Sequence, residues 1–323
     1  MQEKNKTAFA YVPASLFGSV MGLTGLAIAW ELASNLYEVP FVISQIITFI
    51  AIFIFVVLVI AYALKMILEF ESFSLEFKSP LSRSFFGTFI ISILLLPIVI
   101  YHYVPIMAFV MWGIGVVLML VFAWHMVSFW ICSKQEIENV TPAWIIPVVG
   151  TLDIPLASNL FGQGGGFDYL NVLSLAIGLF FAVPIITLIL LRVLISSKLP
   201  DKLMPTLMIL IAPFSVGFSA YVSVNTEVDM FALGLFFLGV FVFLTLLPQT
   251  IASIRCCPFR VTWWAVSFPM SAMLVSMLKV AQAFDNVYFH ALALAFLAFV
   301  SLGILWLLIR TIKGLLQGEL KSF

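Results

Sequence analysis

The chain has 323 residues, 63% of them hydrophobic and only 9% charged, with 15 lysines and arginines against 15 acids. Soluble domains hold roughly 45 to 50% apolar residues, so this composition excludes a water-soluble core and any separate soluble domain. A net charge of zero argues against a nucleic-acid partner, because phosphate binding needs a basic face that no part of this sequence offers.

The apolar residues fall in long unbroken runs, and a spanning helix needs about 20 of them. The sequence therefore predicts an all-α integral membrane protein with ten transmembrane helices, over 13–33, 41–66, 83–101, 104–131, 142–161, 169–195, 202–224, 229–253, 261–283 and 287–311, in one domain covering 1–323. The first run follows Lys4 and Lys6 as a secretory signal would, but it carries glycines at helix-packing spacing and leads into further membrane. Connections after the odd spans are short, so the spans pair into five hairpins. Placing the loops after even spans, and both termini, in the cytoplasm puts every lysine and arginine except Lys279 inside. The positive-inside rule then assigns a multi-pass protein of the cytoplasmic membrane with both termini cytoplasmic.

Odd and even spans differ in composition. Gly18, Gly22 and Gly25 mark span 1, Pro97 span 3, Pro147, Gly150 and Pro155 span 5, Pro205, Pro213 and Gly217 span 7, and Pro269 span 9. Even spans are mostly plain runs of Phe, Leu, Ile and Val, with Pro184 and Pro248 as exceptions. Kinked, glycine-bearing helices belong inside a bundle, where backbones approach closely and freed carbonyls find partners. The expected architecture is an inner ring of five odd helices within five even ones. Helices about 10 Å across cannot all meet on one axis, so the ring encloses a candidate pore. The competing reading makes these residues ordinary packing faces, as Gly18 and Gly22 at a spacing of four would allow.

Span 9 opens with Trp263-Trp264-Ala265-Val266-Ser267-Phe268-Pro269-Met270. Pro269 lacks the N–H that a helix interior needs, which places Phe268 at a kink facing either the lumen or a packed core. This stretch resembles the family of bacterial tellurite-resistance and C4-dicarboxylate transporters and plant guard-cell slow-type anion channels. Four further stretches in the same order are similar to that family: PASLFGSVMGLTGLAIAW in span 1, SPLSRSFF at 79–86, TPAWIIPVVG opening span 5, and APFSVGFSAYVSVN at 212–225. The resemblance implies five pseudo-symmetric hairpins, a pore through each protomer of a homotrimer, a gate at Phe268 and a pore-lining role for Gly18. It leaves the ion open among chloride, nitrate, malate and tellurite.

Asp153 is the one acid expected deep in a span. An intramembrane carboxylate is a functional candidate, here either a neutral or paired structural acid or a proton acceptor. Lys279 stands near the outer end of span 9, either snorkelling to the interface or adding positive potential at an outer mouth. His102, His125 and His290 lie on separate segments, and Cys132, Cys256 and Cys257 fall at cytoplasmic helix ends, so neither a metal site nor a disulfide is expected. The cluster GQGGGF at 162–167 lacks the lysine of a phosphate loop and reads as a turn. No catalytic constellation and no cofactor motif emerges, so an enzyme is not expected. The function expected is an anion channel for chloride or nitrate, the partners being small inorganic or carboxylate anions and lipid. The alternatives are a proton-coupled carrier of C4-dicarboxylates or tellurite-like oxyanions, and a membrane scaffold without a lumen.

Overall fold

Among the described residues of the computed structural model, ten helices are long and apolar enough to cross a membrane. They are Ala14–Tyr37, Val42–Leu68, Arg83–Ile100, Pro105–Cys132, Pro142–Phe161, Asp168–Ile195, Asp201–Asn225, Met230–Ile254, Val261–Phe284 and Val287–Leu316, taken as spans 1 to 10. Residues 7–162, 166–196, 199–256 and 259–318 are described. Lys4, Lys6, Lys198, Lys321, Cys257, the middle of the glycine cluster and the side chains of Arg255 and Cys256 lie outside the described set. The spans agree with the expected ten to within a few residues. Spans 1 and 10 run furthest past expectation, to Tyr37 and Leu316, about one further turn each.

Burial separates the two classes of helix. In the most apolar stretch of each span, 72 to 78% of residues are buried in the odd spans and 17 to 33% in the even ones. Span 1 packs on span 3, span 3 on span 5, span 5 on span 7, span 7 on span 9, and span 9 returns to span 1. Each even span lies against the odd span before it. The result is a closed ring of five within a coat of five.

The irregular residues act through local winding. Every odd span begins with a 3₁₀ segment: Ala14–Phe17, Arg83–Phe85, Pro142–Ile145, Asp201–Ile211 and Val261–Trp263. Span 5 returns to 3₁₀ winding at Gly150–Asp153. These tighter turns place side chains differently from an α-helix, so one end of each inner helix departs from the 3.6-residue period. Three odd spans end on a non-glycine residue in the left-handed region, Glu38 (φ 55°), Thr226 (φ 64°) and Asp285 (φ 41°). A left-handed cap stops a helix and turns the chain, here into the next even span.

Hydroxyls hold the inner ring together. Thr88 of span 3 donates to the Ala14 carbonyl at 3.0 Å and Ser92 to Phe17 at 3.2 Å. From the other flank, Ser267 of span 9 donates to the Trp264 carbonyl of its own helix at 2.7 Å with the Gly18 carbonyl at 3.3 Å, and Ser271 shares its proton between the Ser267 and Gly22 carbonyls, each at 3.0 Å. Ser276 links span 9 to the Ser215 carbonyl of span 7 at 2.9 Å. Lipid gives apolar helices no hydrophobic reason to associate, so such bonds and close packing carry the assembly.

A further helix, Phe70–Lys78, lies between spans 2 and 3. Its Glu76 takes a hydrogen bond from the Ala14 amide at 2.7 Å, one from Tyr62 at 2.8 Å, and an ion pair from Lys65 at 2.5 Å. Lys65, 3% exposed, also donates to the Val12 carbonyl at 2.7 Å. Glu69 accepts from the Thr7 amide at 2.8 Å. The helix thus straps the segment that leads into span 1.

Candidate functional site

The ring encloses a cavity of about 40 Å³ in the half where the odd spans begin, room for roughly three waters or one small anion. All five odd spans contribute to its wall, through residues such as Gly18, Thr88, Val149, Ala212 and Phe268, and none of the even spans does. Thr262 and Ser15 stand near the helix starts, while Asp153 and Phe268 lie deeper along their helices. Seven residues separate Gly18 from Gly25, about 10 Å of helix, and the Phe268 ring reaches the Gly25 level, its Cδ2 3.8 Å from where a Gly25 Cβ would stand. A second, larger hollow of about 850 Å³ runs between spans 8 and 10. It faces outward, and no ionisable side chain among the described residues lines it, so the axial cavity is the better candidate for recognising an ion.

Of the residues expected to line a pore, Gly18, Gly150, Phe268 and Pro269 stand in the wall of this cavity, together with Asp153. Gly22, Pro97, Pro147, Pro213 and Gly217 are buried elsewhere. Gly22 faces the Ser267 side chain, and Gly217 faces Leu179 of span 6, 2.9 Å from where its Cβ would stand. Both glycines serve helix contact. Gly18 differs: a Cβ there meets the Trp264 carbonyl oxygen at an ordinary 3.5 Å, so its smallness keeps the cavity open. Lys279 is half-buried toward the opposite end of span 9 and is not in the cavity wall.

The histidines at the far ends of the helices are paired. His102 Nε2 lies 2.8 Å from Glu31, and His290 lies 3.2 Å from Asp285 and 2.9 Å from the Tyr37 hydroxyl. Among the described residues, no histidine, lysine or arginine lines the cavity. Its polar side chains are Ser15, Thr88, Asp153 and Thr262. Thr88 donates to the Phe85 carbonyl at 2.6 Å as well as to Ala14, and Thr262 donates to the Lys202 carbonyl at 2.6 Å. Asp153 is 1% exposed, and its Oδ1 has no hydrogen-bond partner among the described residues.

A closed ring of five helices around one axial cavity invites comparison with membrane proteins of known kind. The family model described as SLAC1, voltage-dependent anion channel, matches residues 11–312. The chain belongs to the SLAC1 voltage-dependent anion channel family. Among its relatives, a tellurite resistance protein TehA homolog of Haemophilus influenzae is 30% identical over 315 residues, covering 95% of this chain and 92% of that protein. An uncharacterized transporter of Methanocaldococcus jannaschii is 24% identical over 95% of this chain and 96% of its own length. The S-type anion channel SLAH2 of Arabidopsis thaliana is 24% identical over 85% of this chain but only 54% of its own length, so the chain spans about half of that plant relative. Membership in the SLAC1 family makes the protein one of a group of anion channels and transporters.

The sequence did not single out Ser15, Met21, Thr88 or Ile91 as wall residues, nor the Lys65–Glu76 pair. Phe70, Phe73 and Phe77 stand at helical spacing among Glu69, Glu71 and Glu76, and that amphipathic pattern is the signal that marks the strap helix.

Proposed function

We propose that this SLAC1-family protein is an anion channel for chloride- or nitrate-sized ions, conducting through the axis of its inner ring and closed at Phe268. The observation that carries the reading is the composition of the cavity wall: all five odd spans, no fixed cation, and an apolar ring at its deep side. The five odd helices all start on the cavity side, so five positive dipole ends point toward its mouth, which favours an anion there. A site without a charged ligand holds the ion weakly enough to release it. The bulky ring blocks the path by volume and by excluding water.

The rest of the assignment follows the same reading. The protein sits in the cytoplasmic membrane with both termini inside, assembles as a homotrimer with one pathway per protomer, and transports rather than catalyses. The unpartnered Asp153 in the wall supports a second reading, a proton-coupled carrier of C4-dicarboxylates such as malate or of tellurite-like oxyanions. Flux from proteoliposomes separates the two. Voltage-driven chloride or nitrate flux that is independent of a pH gradient supports the channel. Malate uptake that requires an inward proton gradient replaces it with the carrier, and no flux of either kind removes both.

A further inference from the structure

Asp153 lies where an anion pathway has least use for a negative charge. It closes the 3₁₀ turn Gly150–Asp153, lines the cavity with Phe268, and leaves Oδ1 buried without a partner among the described residues. None of the ion pairs among the described residues involves it. The elements packed against this turn come from spans 3 to 7, and their ionisable groups are engaged or placed elsewhere. His125 and Cys132 of span 4 are exposed, as are Asp168 and Tyr169 at the start of span 6. Arg192 of span 6 donates to the Val140 carbonyl, thirteen residues before Asp153 and about 20 Å along the helix. Tyr221 of span 7 donates to Asp229 at 2.6 Å. Among the described residues an ionised carboxylate at 153 would be a buried charge with neither cation nor side-chain donor against it, an expensive state in a membrane.

We infer that Asp153 stands as the neutral carboxylic acid and that its O–H is the hydrogen-bond donor that receives a partly dehydrated anion beneath Phe268. Thr88 and Thr262 have committed their hydroxyl protons to backbone carbonyls, which leaves Asp153 as the deep donor of the cavity and Ser15 near its mouth. A hydrogen bond from a neutral acid to an anion is charge-assisted and short, yet it lacks the binding strength of a lysine or arginine, as conduction requires. Such a donor favours a strong acceptor, chloride, over a weakly hydrated anion such as iodide. The inference rests on the anion-pathway reading above and deepens it by naming a selectivity residue.

The test uses the full chain in planar bilayers with Phe268→Ala as the parent, so that current is measurable, and reads the chloride-to-iodide permeability ratio. Asp153→Leu removes the donor, and the ratio falls at least fivefold toward iodide. Asp153→Asn keeps an N–H donor and holds the ratio within about threefold of the parent. Should the leucine variant fail to fold, the asparagine variant still decides: a more than tenfold rise in its chloride current would mean that the parent carboxylate was charged, and would overturn the inference. An unchanged ratio in a folded Asp153→Leu protein overturns the donor assignment alone. No anion current in the Phe268→Ala parent overturns the pathway and the donor together.

Discussion

Gly22 of span 1 and Ser267 of span 9 approach so closely that a Cβ on Gly22 would overlap both the Cβ and the Oγ of Ser267. The next contact along the same seam, Ser271 Oγ to the Gly22 carbonyl, is 3.0 Å. Gly22→Ala must therefore push two inner helices apart, and overpacking of this kind costs about 1 to 3 kcal/mol. It should lower the thermal midpoint of the detergent-solubilised protein, and adding Ser267→Gly should recover most of the loss. Gly113 and Gly303, where a Cβ meets nothing within 4 Å, should accept alanine with no drop in midpoint.

Gly18 should behave in the opposite way. Its Cβ position is 3.5 Å from the nearest heavy atom, and it lines the cavity. Gly18→Val fills space that a permeant ion needs without forcing helices apart. The expected result is a melting curve close to that of the parent and an anion flux at least fivefold lower. A variant that melts early with flux per folded protein unchanged would return Gly18 to the packing class.

The contrast between these two glycines shows what the sequence could and could not convey. Composition separated inner from outer spans through Pro, Ser and Thr, which concentrate in the odd spans, whereas glycine did not, since Gly113, Gly234 and Gly303 stand in even spans with nothing within 4 Å of a Cβ. Which way a given glycine faces is a matter of helix rotation, and the 3₁₀ openings such as Ala14–Phe17 alter the period on which rotation is judged. Gly18, Gly22 and Gly25 therefore read as one class in composition; the family resemblance singled out Gly18, and their packing partners separate in space. The strap helix escaped for another reason: Lys65 and Glu76 are eleven residues apart, and their partners at Val12 and Ala14 lie a full hairpin earlier in the chain.

That strap gives a stability prediction. Lys65 is buried at 3% exposure and pairs with Glu76 at 12%, so Lys65→Met leaves a largely buried carboxylate facing only Tyr62 and the Ala14 amide. Breaking one side of a buried pair costs about 3 to 5 kcal/mol. Lys65→Met should destabilise the protein by at least half of that, whereas Lys65→Met with Glu76→Leu should lie closer to the parent. Equal losses in the single and double variants would mean that the ion pair contributes nothing beyond its packing.

Orientation is tested by accessibility. In a background free of the native cysteines, a cysteine at Lys134, exposed after span 4, should react with an impermeant maleimide only in inside-out vesicles. One at Glu227, exposed between spans 7 and 8, should react only in right-side-out vesicles. The reverse pattern would turn the cavity mouth to the outer face and undo the assignment of both termini to the cytoplasm.

Phe268 carries the heaviest claim. It is 8% exposed and lines the cavity, and its ring comes within 3.8 Å of where a Gly25 Cβ would stand, beside the Ser271 Cβ at 2.7 Å. The following Pro269 has no N–H to return to the carbonyl of Ala265, so the backbone around the ring is set by proline geometry and by the Ser267 and Ser271 bonds to span 1. If the ring plugs a pathway, Phe268→Ala removes the obstruction and leaves the seam of serines intact. Conductance in planar bilayers should then rise at least tenfold with a small shift in melting temperature. If the ring is instead a core side chain, truncation costs about 3 to 5 kcal/mol and yields an unstable protein with no gain in current. A stable Phe268→Ala protein whose current stays at the parent level would sink the gate, because the ring would then be neither a plug nor a structural support.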